Sequence, residues 1–308
     1  MLDITCRSFL SPYKGDINNT DGEYKLYGRF NMGLTSLNLA DCGLSAQKDI
    51  NEFWKILNDR LLLCKESLML RYEKLKEVTS DVSPIHWQYG ALARLEKHAL
   101  IYPLLQDGYS TISLGYIGLY ECVKALIDVS HTTSEGEELA VEIMKFIKQK
   151  ILDWKKETGL GFALYGTPSE SLTDRFARLT RDRWGEIEGI TDRNFLTNSY
   201  HVFVEEEINA FDKLKFESQF HSISSGGAIS YIEIPNMSHN VEALLTIIKF
   251  NYENVQYSEF NTKLDYCHKC NYEGEILCDD DLNWYCPNCG NKDTSAMNVV
   301  RRTCGLTK

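Results

Sequence analysis

The stretch CHKCNYEGEILCDDDLNWYCPNC, residues 267–289, decides the fold of the C-terminal region. Two Cys-x-x-Cys pairs lie fifteen residues apart, and each pair can present two thiolates to one metal ion. Four thiolates complete a tetrahedral shell and leave no position for water, so the spacing predicts a structural zinc site. The predicted ligands are Cys267, Cys270, Cys286 and Cys289.

The remaining cysteines set the chemical context of this module. Of the ten cysteines, six crowd the last forty-odd residues and four are scattered, which is unlike the framework of a small disulfide-rich secreted protein. We interpret Cys278, the spare thiol of the module, as a packed side chain rather than a ligand. The pattern therefore favours a metal-binding protein in a reducing compartment.

Composition and charge exclude several classes of protein. The chain has 308 residues and a formal net charge of −11, which disfavours a protein built to neutralise nucleic acid or an anionic membrane. The acidic residues within the module point the same way, so we expect no direct nucleic-acid binding. The sequence shows no apolar run of eighteen residues and no signal-peptide pattern. We therefore expect a cytoplasmic protein without a membrane partner.

Upstream of the module, hydrophobic periodicity predicts alternating strands and helices. The clearest element is a helix over 49–77, whose apolar stripe recurs at spacings of three and four and includes Cys64 as a small buried side chain. Ser134 is the predicted N-cap of a helix over 135–157, with Glu137 at the capping-box position. Such alternation is typical of the α/β class. The other predicted elements are a strand within 33–44, a strand-to-helix unit over 110–127, a strand followed by a turn over 161–171, strands at 199–207 and 228–234, and helices from 171 and over 238–250.

The residues that follow the module carry a resemblance to a known family. The segment CPNCGNKDTSAMNVVRRTCG, residues 286–305, resembles the C-terminal end of the anaerobic (class III) ribonucleoside-triphosphate reductases, which are glycyl radical enzymes. Further segments resemble the catalytic domain of the same family. They are CRSFLSPY (6–13), GRFNMG (28–33), GTPSES (166–171), TNSYHV (197–202) and SGGAISYIE (225–233).

The resemblance implies a specific architecture. It implies that the chain is the C-terminal half of a reductase, with half of a ten-stranded α/β barrel followed by a small zinc ribbon. The expected domains are the barrel half with the thiyl loop at 1–262, the ribbon at 263–291 and the glycyl radical loop at 292–308.

The resemblance also implies the catalytic residues. Gly305 is expected to store the radical, since a backbone radical centre is planar and a Cβ would obstruct it; Gly305 lies sixteen positions after Cys289. Cys6 is expected to become a transient thiyl radical that abstracts the 3′ hydrogen of the ribose. Asn31 is expected to hydrogen-bond near the substrate hydroxyls.

A glycine-rich segment is a candidate for substrate phosphate. Small residues let backbone N–H groups approach a triphosphate, and the expected contacts are Ser225, Gly226, Gly227 and Ala228. A simple turn before a strand explains the same residues equally well, and the sequence leaves both interpretations open.

Cofactors and partners follow from the same resemblance. It implies zinc, a ribonucleoside triphosphate substrate, and a radical-SAM activase that uses S-adenosylmethionine and a 4Fe-4S cluster to install the glycyl radical. It also implies a reductant, either formate or a thiol protein, and a homodimer of the complete enzyme.

Three hypotheses remain open at this stage. The leading one is a split reductase, in which this chain pairs with a separate N-terminal half. The second is a non-catalytic zinc-ribbon remnant or binding module of the family. The third, a spare glycyl radical domain that repairs a damaged partner, does not require the CRSFL segment at 6–10, which therefore counts against it.

Overall fold

The computed structural model divides the chain into two compact units. One unit comprises residues 1–206 and 219–229, and the other comprises residues 207–218 and 230–308. The described residues are 3–5, 8–10, 29–106, 109–166, 170–235, 237, 240–262, 264–279 and 283–300. Among the helices in these ranges, none has the length and hydropathy needed to cross a bilayer.

A parallel sheet organises the first unit. Its strands are hydrogen-bonded in the order β3-β4-β5-β6, and every neighbouring pair is parallel. Parallel neighbours require crossover connections, so this sheet confirms the predicted α/β class. A separate antiparallel pair, β1 and β2, precedes it. The strands are β1 (Asp3–Thr5), β2 (Ser8–Leu10), β3 (Asn31–Asn38), β4 (Thr111–Ile117), β5 (Gly161–Gly166) and β6 (Gly227–Ala228).

Helices connect these strands. The long helix predicted from periodicity is α2, capped by the Asp49 carboxylate, which accepts from the N–H groups of Asn51 and Glu52. Its predicted stripe is buried from Phe53 to Tyr72 and includes Cys64, as expected. The helices are α1 (Leu39–Ser45), α2 (Ile50–Leu75), α3 (Pro84–Trp87), α4 (Leu119–Ile127), α5 (Ser134–Thr158), α6 (Glu170–Trp184) and α7 (Ala210–His221), the last of which is divided between the two units.

Strand β4 is the centre of the apolar core. All seven of its residues are buried, and Ile112 and Leu114 have no exposed surface. A parallel strand covered on both faces has this uniform burial, in contrast to the alternation of a half-exposed strand.

Three expectations about local structure are corrected. Residues 199–207 contain turns and irregular backbone rather than a strand. Helix α5 is capped by Thr133 rather than Ser134, because the Thr133 hydroxyl accepts from the N–H of Gly136. Gly136 permits this start, since a Cβ there would lie 2.1 Å from the carbonyl oxygen of Ser130. The strand predicted within 33–44 spans Asn31–Asn38, and α1 begins at the next residue, Leu39.

The second unit begins with a small parallel pair. Strands β7 (Ser230–Ile234) and β8 (Ser258–Thr262) flank helix α8 (Val241–Asn254), which confirms the predicted strand and helix in this region with shifted bounds. Its core is formed by Leu214, Ile232 and Ile234, against which half-buried side chains of α8 pack.

The cysteine module forms short antiparallel strands around its own core. The strand order is β10-β9-β13 in one sheet and β11-β12 in another. Cys267, Ile276, Cys286 and Met297 form the buried core. The strands are β9 (Asp265–Cys267), β10 (Tyr272–Gly274), β11 (Leu277–Cys278), β12 (Trp284–Tyr285) and β13 (Met297–Asn298).

Candidate functional site

The four predicted zinc ligands converge in the module. Their sulfur atoms all lie within 4.8 Å of one another. Among the described residues, these four side chains form the cluster that could hold a metal ion. The Sγ atoms of Cys267 and Cys289 are 3.8 Å apart, and those of Cys270 and Cys286 are 3.6 Å apart. Zn–S bonds of about 2.3 Å in a tetrahedron place sulfur atoms about 3.8 Å apart. The four thiols therefore fit zinc.

The two Cys-x-x-Cys segments have the same backbone geometry. The N–H of Asn271 donates to the carbonyl of Cys267, and the N–H of Gly290 donates to the carbonyl of Cys286, each at 2.8 Å. Asn271 and Gly290 both have positive φ, at 57° and 69°. Asparagine and glycine tolerate this left-handed conformation best, which explains their presence one residue after each second cysteine.

The surroundings act differently on the thiols of the cluster: they lower the pKa of Cys267 and Cys270, whereas burial and the neighbouring thiols raise the pKa of Cys289 to about 12. A hydrogen bond from the Asn288 side chain is the largest cause that lowers the pKa of the Cys270 thiol, to about 7. The Asn291 amide nitrogen also lies 3.8 Å from the sulfur of Cys267. Cys278 is not part of the cluster, as expected, but it is exposed, so the prediction of a packed thiol is wrong.

The chain beyond the ligands stays attached to the module. Strand β13 pairs with β9, with Met297 opposite Cys267. The N–H of His268 donates to the carbonyl of Ala296. At the last described residue, the N–H of Val300 donates to a carboxylate oxygen of Asp265 at 3.0 Å. Residues 292–300 of the predicted radical loop therefore lie along the ribbon.

Asn31 begins β3 and is held inside the first unit. Its amide nitrogen donates to the hydroxyl of Ser113 at 2.8 Å, and its amide oxygen accepts from the N–H of Gly33 at 3.0 Å. A carboxamide has two N–H groups and two lone pairs on its oxygen. These two hydrogen bonds therefore leave one donor and one acceptor of a half-buried side chain for another group.

The glycine-rich segment lies at the start of β6. The N–H groups of Ser225, Gly226 and Gly227 donate to protein carbonyls at 3.1, 2.7 and 3.1 Å. Gly226 is required by close packing, because a Cβ there would lie 2.9 Å from the carbonyl oxygen of Leu164. These donors are engaged within the fold, whereas the Ser225 side chain is exposed. A role in binding triphosphate stays a prediction for residues 225–228.

A buried carboxylate anchors the segment after α6. Glu121, in the first turn of α4, has no exposed surface and accepts from both the N–H and the hydroxyl of Thr197 at 2.8 Å. The guanidinium of Arg193 lies 3.4 Å from the same carboxylate oxygen and 4.1 Å from the ring centroid of Phe203. Burial is the main cause that raises the pKa of the Glu121 carboxyl.

The other end of this segment is attached to the chain just after β6. The ring nitrogens of His201 lie 2.9 Å from the carbonyl oxygens of Asn198 and Ile229, and the Tyr200 hydroxyl donates to the Ile229 carbonyl at 2.8 Å. Carbonyl oxygens only accept, so both His201 contacts are hydrogen bonds when both ring nitrogens carry protons. Residues 197–201 therefore connect the end of β4 with the end of β6.

Sequence reasoning did not find these buried polar residues. Glu121 has no partner at a characteristic spacing, because Thr197 lies 76 positions away. His201 and Asp265 likewise form their hydrogen bonds with backbone groups, which leave no signature in side-chain identity. The expected catalytic residues Cys6 and Gly305 lie outside the described residues.

Comparison with known proteins places the chain in a family. A family model described as anaerobic ribonucleoside-triphosphate reductase matches residues 2–308. The anaerobic ribonucleoside-triphosphate reductase of Escherichia coli K12 is 40% identical over 304 residues, which cover 97% of this chain and 42% of that protein. The protein of the same name from Enterobacteria phage T4 is 36% identical over 305 residues, which cover 97% of this chain and 48% of that protein. The chain thus spans less than half the length of these relatives.

Solved structures share the fold. An anaerobic ribonucleotide reductase superposes with a TM-score of 0.65 at 22% identity, covering 91% of this chain and 41% of that one. The anaerobic ribonucleotide reductase from Thermotoga maritima in complex with dATP and CTP gives a TM-score of 0.62 at 21% identity, covering 90% and 45%. Since the family model covers nearly every residue and the curated relatives align over 97% of the chain, the protein belongs to the anaerobic ribonucleoside-triphosphate reductase family.

Proposed function

We propose that this chain is the C-terminal part of an anaerobic reductase that converts ribonucleoside triphosphates to deoxyribonucleoside triphosphates by radical chemistry. The observation that carries the proposal is the extent of the family match, which runs from residue 2 to residue 308 and includes Cys6, the zinc ribbon and Gly305. The parallel sheet is proposed to form half of a ten-stranded barrel, completed by an N-terminal half. We place the complete enzyme in the cytoplasm as a homodimer.

Gly305 and Cys6 are proposed to carry the radical. A radical stored on the α-carbon of Gly305 takes the thiol hydrogen of Cys6 and leaves a thiyl radical. The thiyl sulfur then takes the 3′ hydrogen of the ribose, which forms an S–H bond and leaves a carbon-centred radical on the sugar. Formate, oxidised to CO₂, or a thiol protein, oxidised to a disulfide, supplies two electrons; with two protons the 2′ hydroxyl leaves as water and a hydrogen takes its place. Cys6 then returns the hydrogen to the 3′ carbon, which restores the thiyl radical, and the thiyl radical in turn recovers a hydrogen from Gly305. A radical-SAM activase installs the radical on Gly305.

Two groups of described residues have proposed roles: some contact the substrate, and the four cysteines bind the zinc that stabilises the ribbon. Asn31 has one N–H and one lone pair available for a ribose hydroxyl, after its hydrogen bonds to Ser113 and Gly33. The segment 225–228 is proposed to face the triphosphate, with the exposed Ser225 as its first contact. Zinc, bound by the four thiolates, supplies structural cross-linking of the ribbon and leaves no open coordination position.

The test is electron paramagnetic resonance on the complete enzyme. The chain is co-expressed with the N-terminal part and treated anaerobically with the activase and S-adenosylmethionine. We expect a doublet from a glycyl radical, its loss in Gly305→Ala, and deoxynucleotide formation. In Cys6→Ser the doublet should persist while product formation stops, which separates storage of the radical from its use. The absence of any doublet would leave a non-catalytic zinc-ribbon module as the better description, whereas a doublet that survives Gly305→Ala would overturn the assignment of the radical to Gly305.

A further inference from the structure

One buried carboxylate in the ribbon receives hydrogen bonds from two separate segments. Asp265 begins β9 and has no exposed surface. One of its oxygens accepts from the N–H of Ile276 at 2.8 Å, and the other accepts from the N–H of Val300 at 3.0 Å. Asp265 therefore joins the loop before β11 and the segment after β13 to the same strand.

The hydrogen bond to Val300 lies just beyond the last backbone pairing between β13 and β9. In the antiparallel pairing of β13 with β9, Met297 lies opposite Cys267 and Asn298 lies opposite Tyr266. The following residues leave the strand, and the Asp265 side chain accepts the N–H of Val300. The Val300 side chain is 71% exposed, so burial of that side chain contributes little to holding this point of the chain.

The position of this bond connects the ribbon with the proposed radical site. Val300 lies five positions before Gly305, and a trans peptide chain extends by at most about 3.6 Å per residue. A fixed Val300 therefore limits where the α-carbon of Gly305 can be. Asp265 has no exposed surface, so breaking this bond would leave a buried acceptor without its donor, which makes the anchor costly to release.

We propose that Asp265 is a positioning residue that fixes the start of the radical-bearing tail through its hydrogen bond to the N–H of Val300. The inference rests on the proposed function, because it gives Gly305 the stored radical. Asp265 touches neither substrate nor the radical centre, and its effect is transmitted through the backbone between Val300 and Gly305. Zinc forms the ribbon, and Asp265 connects the tail to it.

Two variants remove the hydrogen bond from opposite sides. In Asp265→Asn the carboxamide keeps one acceptor oxygen and presents an NH₂ group to the second backbone N–H, which loses its partner. In Val300→Pro the donor itself is deleted while Asp265 and Ile276 remain intact. The matched controls are Val300→Ala, which keeps the N–H, and Asp293→Asn, which alters an exposed carboxylate of the same ribbon.

The first measurement is amide hydrogen exchange of the zinc-loaded chain. We expect Asp265→Asn to retain its zinc and to raise the exchange rate by about tenfold or more at the one of the two amides, Val300 or Ile276, that faces the new NH₂ group, as for loss of one hydrogen bond. Asp293→Asn should leave that rate unchanged. Unchanged rates at both Val300 and Ile276 in Asp265→Asn would overturn the proposed anchor. If Asp265→Asn lost its zinc or released only Ile276, the radical yield of Val300→Pro would decide the question, because proline deletes the N–H of residue 300 and leaves Asp265 and Ile276 in place.

The second measurement is the yield of the glycyl radical in the complete, activated enzyme. We expect Val300→Pro and Asp265→Asn to lower the yield several-fold at normal zinc content, and Val300→Ala and Asp293→Asn to match wild type. Normal yields in the first two variants would reduce Asp265 to a structural residue and overturn the inference, while the proposed function would stand. A wild-type enzyme without a Gly305 signal would overturn the proposed function and this inference together.

Discussion

The parallel sheet and the zinc ribbon are stabilised by different means. The sheet is covered by apolar side chains, and its central strand β4 is buried at every residue. The ribbon has a buried core of only four described side chains, two of which are cysteines of the four-thiol cluster. The sheet thus depends on the hydrophobic effect, whereas we expect the ribbon to depend on metal coordination. Loss of the metal should therefore destabilise the ribbon, and loss of a buried apolar side chain should destabilise the sheet.

The largest effect should come from breaking the metal site. Cys286→Ser removes a buried ligand, and structural zinc contributes about 10–16 kcal/mol to folding of small zinc domains. We expect loss of zinc and fast amide exchange throughout 264–300, with unchanged protection of β3–β6. Metal analysis measures the zinc content, and hydrogen-exchange mass spectrometry measures the exchange rates. The control is Cys278→Ser, since Cys278 is exposed and outside the cluster. Zinc loss in Cys278→Ser would contradict the four-cysteine assignment.

The second largest effect should come from a cavity in helix α2. Leu57→Ala on α2 removes a side chain with no exposed surface, which costs about 2–5 kcal/mol of unfolding free energy. Urea denaturation measures it, and zinc content should stay normal. Leu62→Ala on the same helix, where the side chain is 46% exposed, should change stability by less than about 0.5 kcal/mol. Equal losses in the two variants would argue against the observed orientation of α2.

The start of α5 offers a smaller and sharper test. Thr133→Ala deletes the hydroxyl that accepts from the N–H of Gly136, and loss of such a cap costs about 1 kcal/mol. Ser134→Ala, at the position expected from sequence to be the cap, should have little effect. Thermal unfolding compares the two variants. A larger loss of stability in Ser134→Ala than in Thr133→Ala would show that Ser134 is the N-cap, as the sequence predicts.

The smallest effect should appear as a pH dependence. Burial raises the pKa of Glu121, so the folded state binds this proton more tightly than the unfolded state does. The resulting stability is present below the unfolded pKa, about 4.3, and is lost as pH rises through the folded pKa.

Glu121→Gln keeps an oxygen that can accept from Thr197 and removes this titration. The stability of the variant relative to wild type should therefore increase with pH. Urea denaturation at several pH values measures the slope, with the exposed Glu138→Gln as control. A relative stability that falls with pH would contradict the direction of the shift.

The same contrast explains what could be predicted from sequence. The convergence of the four thiols was predictable because two Cys-x-x-Cys pairs at this spacing are typical of one metal-binding geometry. The stripe from Phe53 to Tyr72 was predictable because helical periodicity determines which side chains share a face. Each of these two signals is carried by residues of one continuous stretch of the chain.

The features that sequence missed depend on contacts between distant segments. The alternation in 199–207 resembles that of a strand, yet the adjacent residues Tyr200 and His201 are both buried and both hydrogen-bond to the carbonyl of Ile229. Glu121 could not be paired with Thr197 before the fold was known. The Thr133 cap was missed by one position, since Thr and Ser are both good caps and Gly136 gave no decisive signal.

The uniform burial of β4 has a consequence for handling the protein. TISLGYI, residues 111–117, contains no charge and no proline, and such a segment readily forms intermolecular β-structure when it is uncovered. During recovery from denaturant it is exposed before its covering helices have assembled. Aggregation should then limit the yield of renatured material even with metal in excess, so expression in a native state is the better route to this chain.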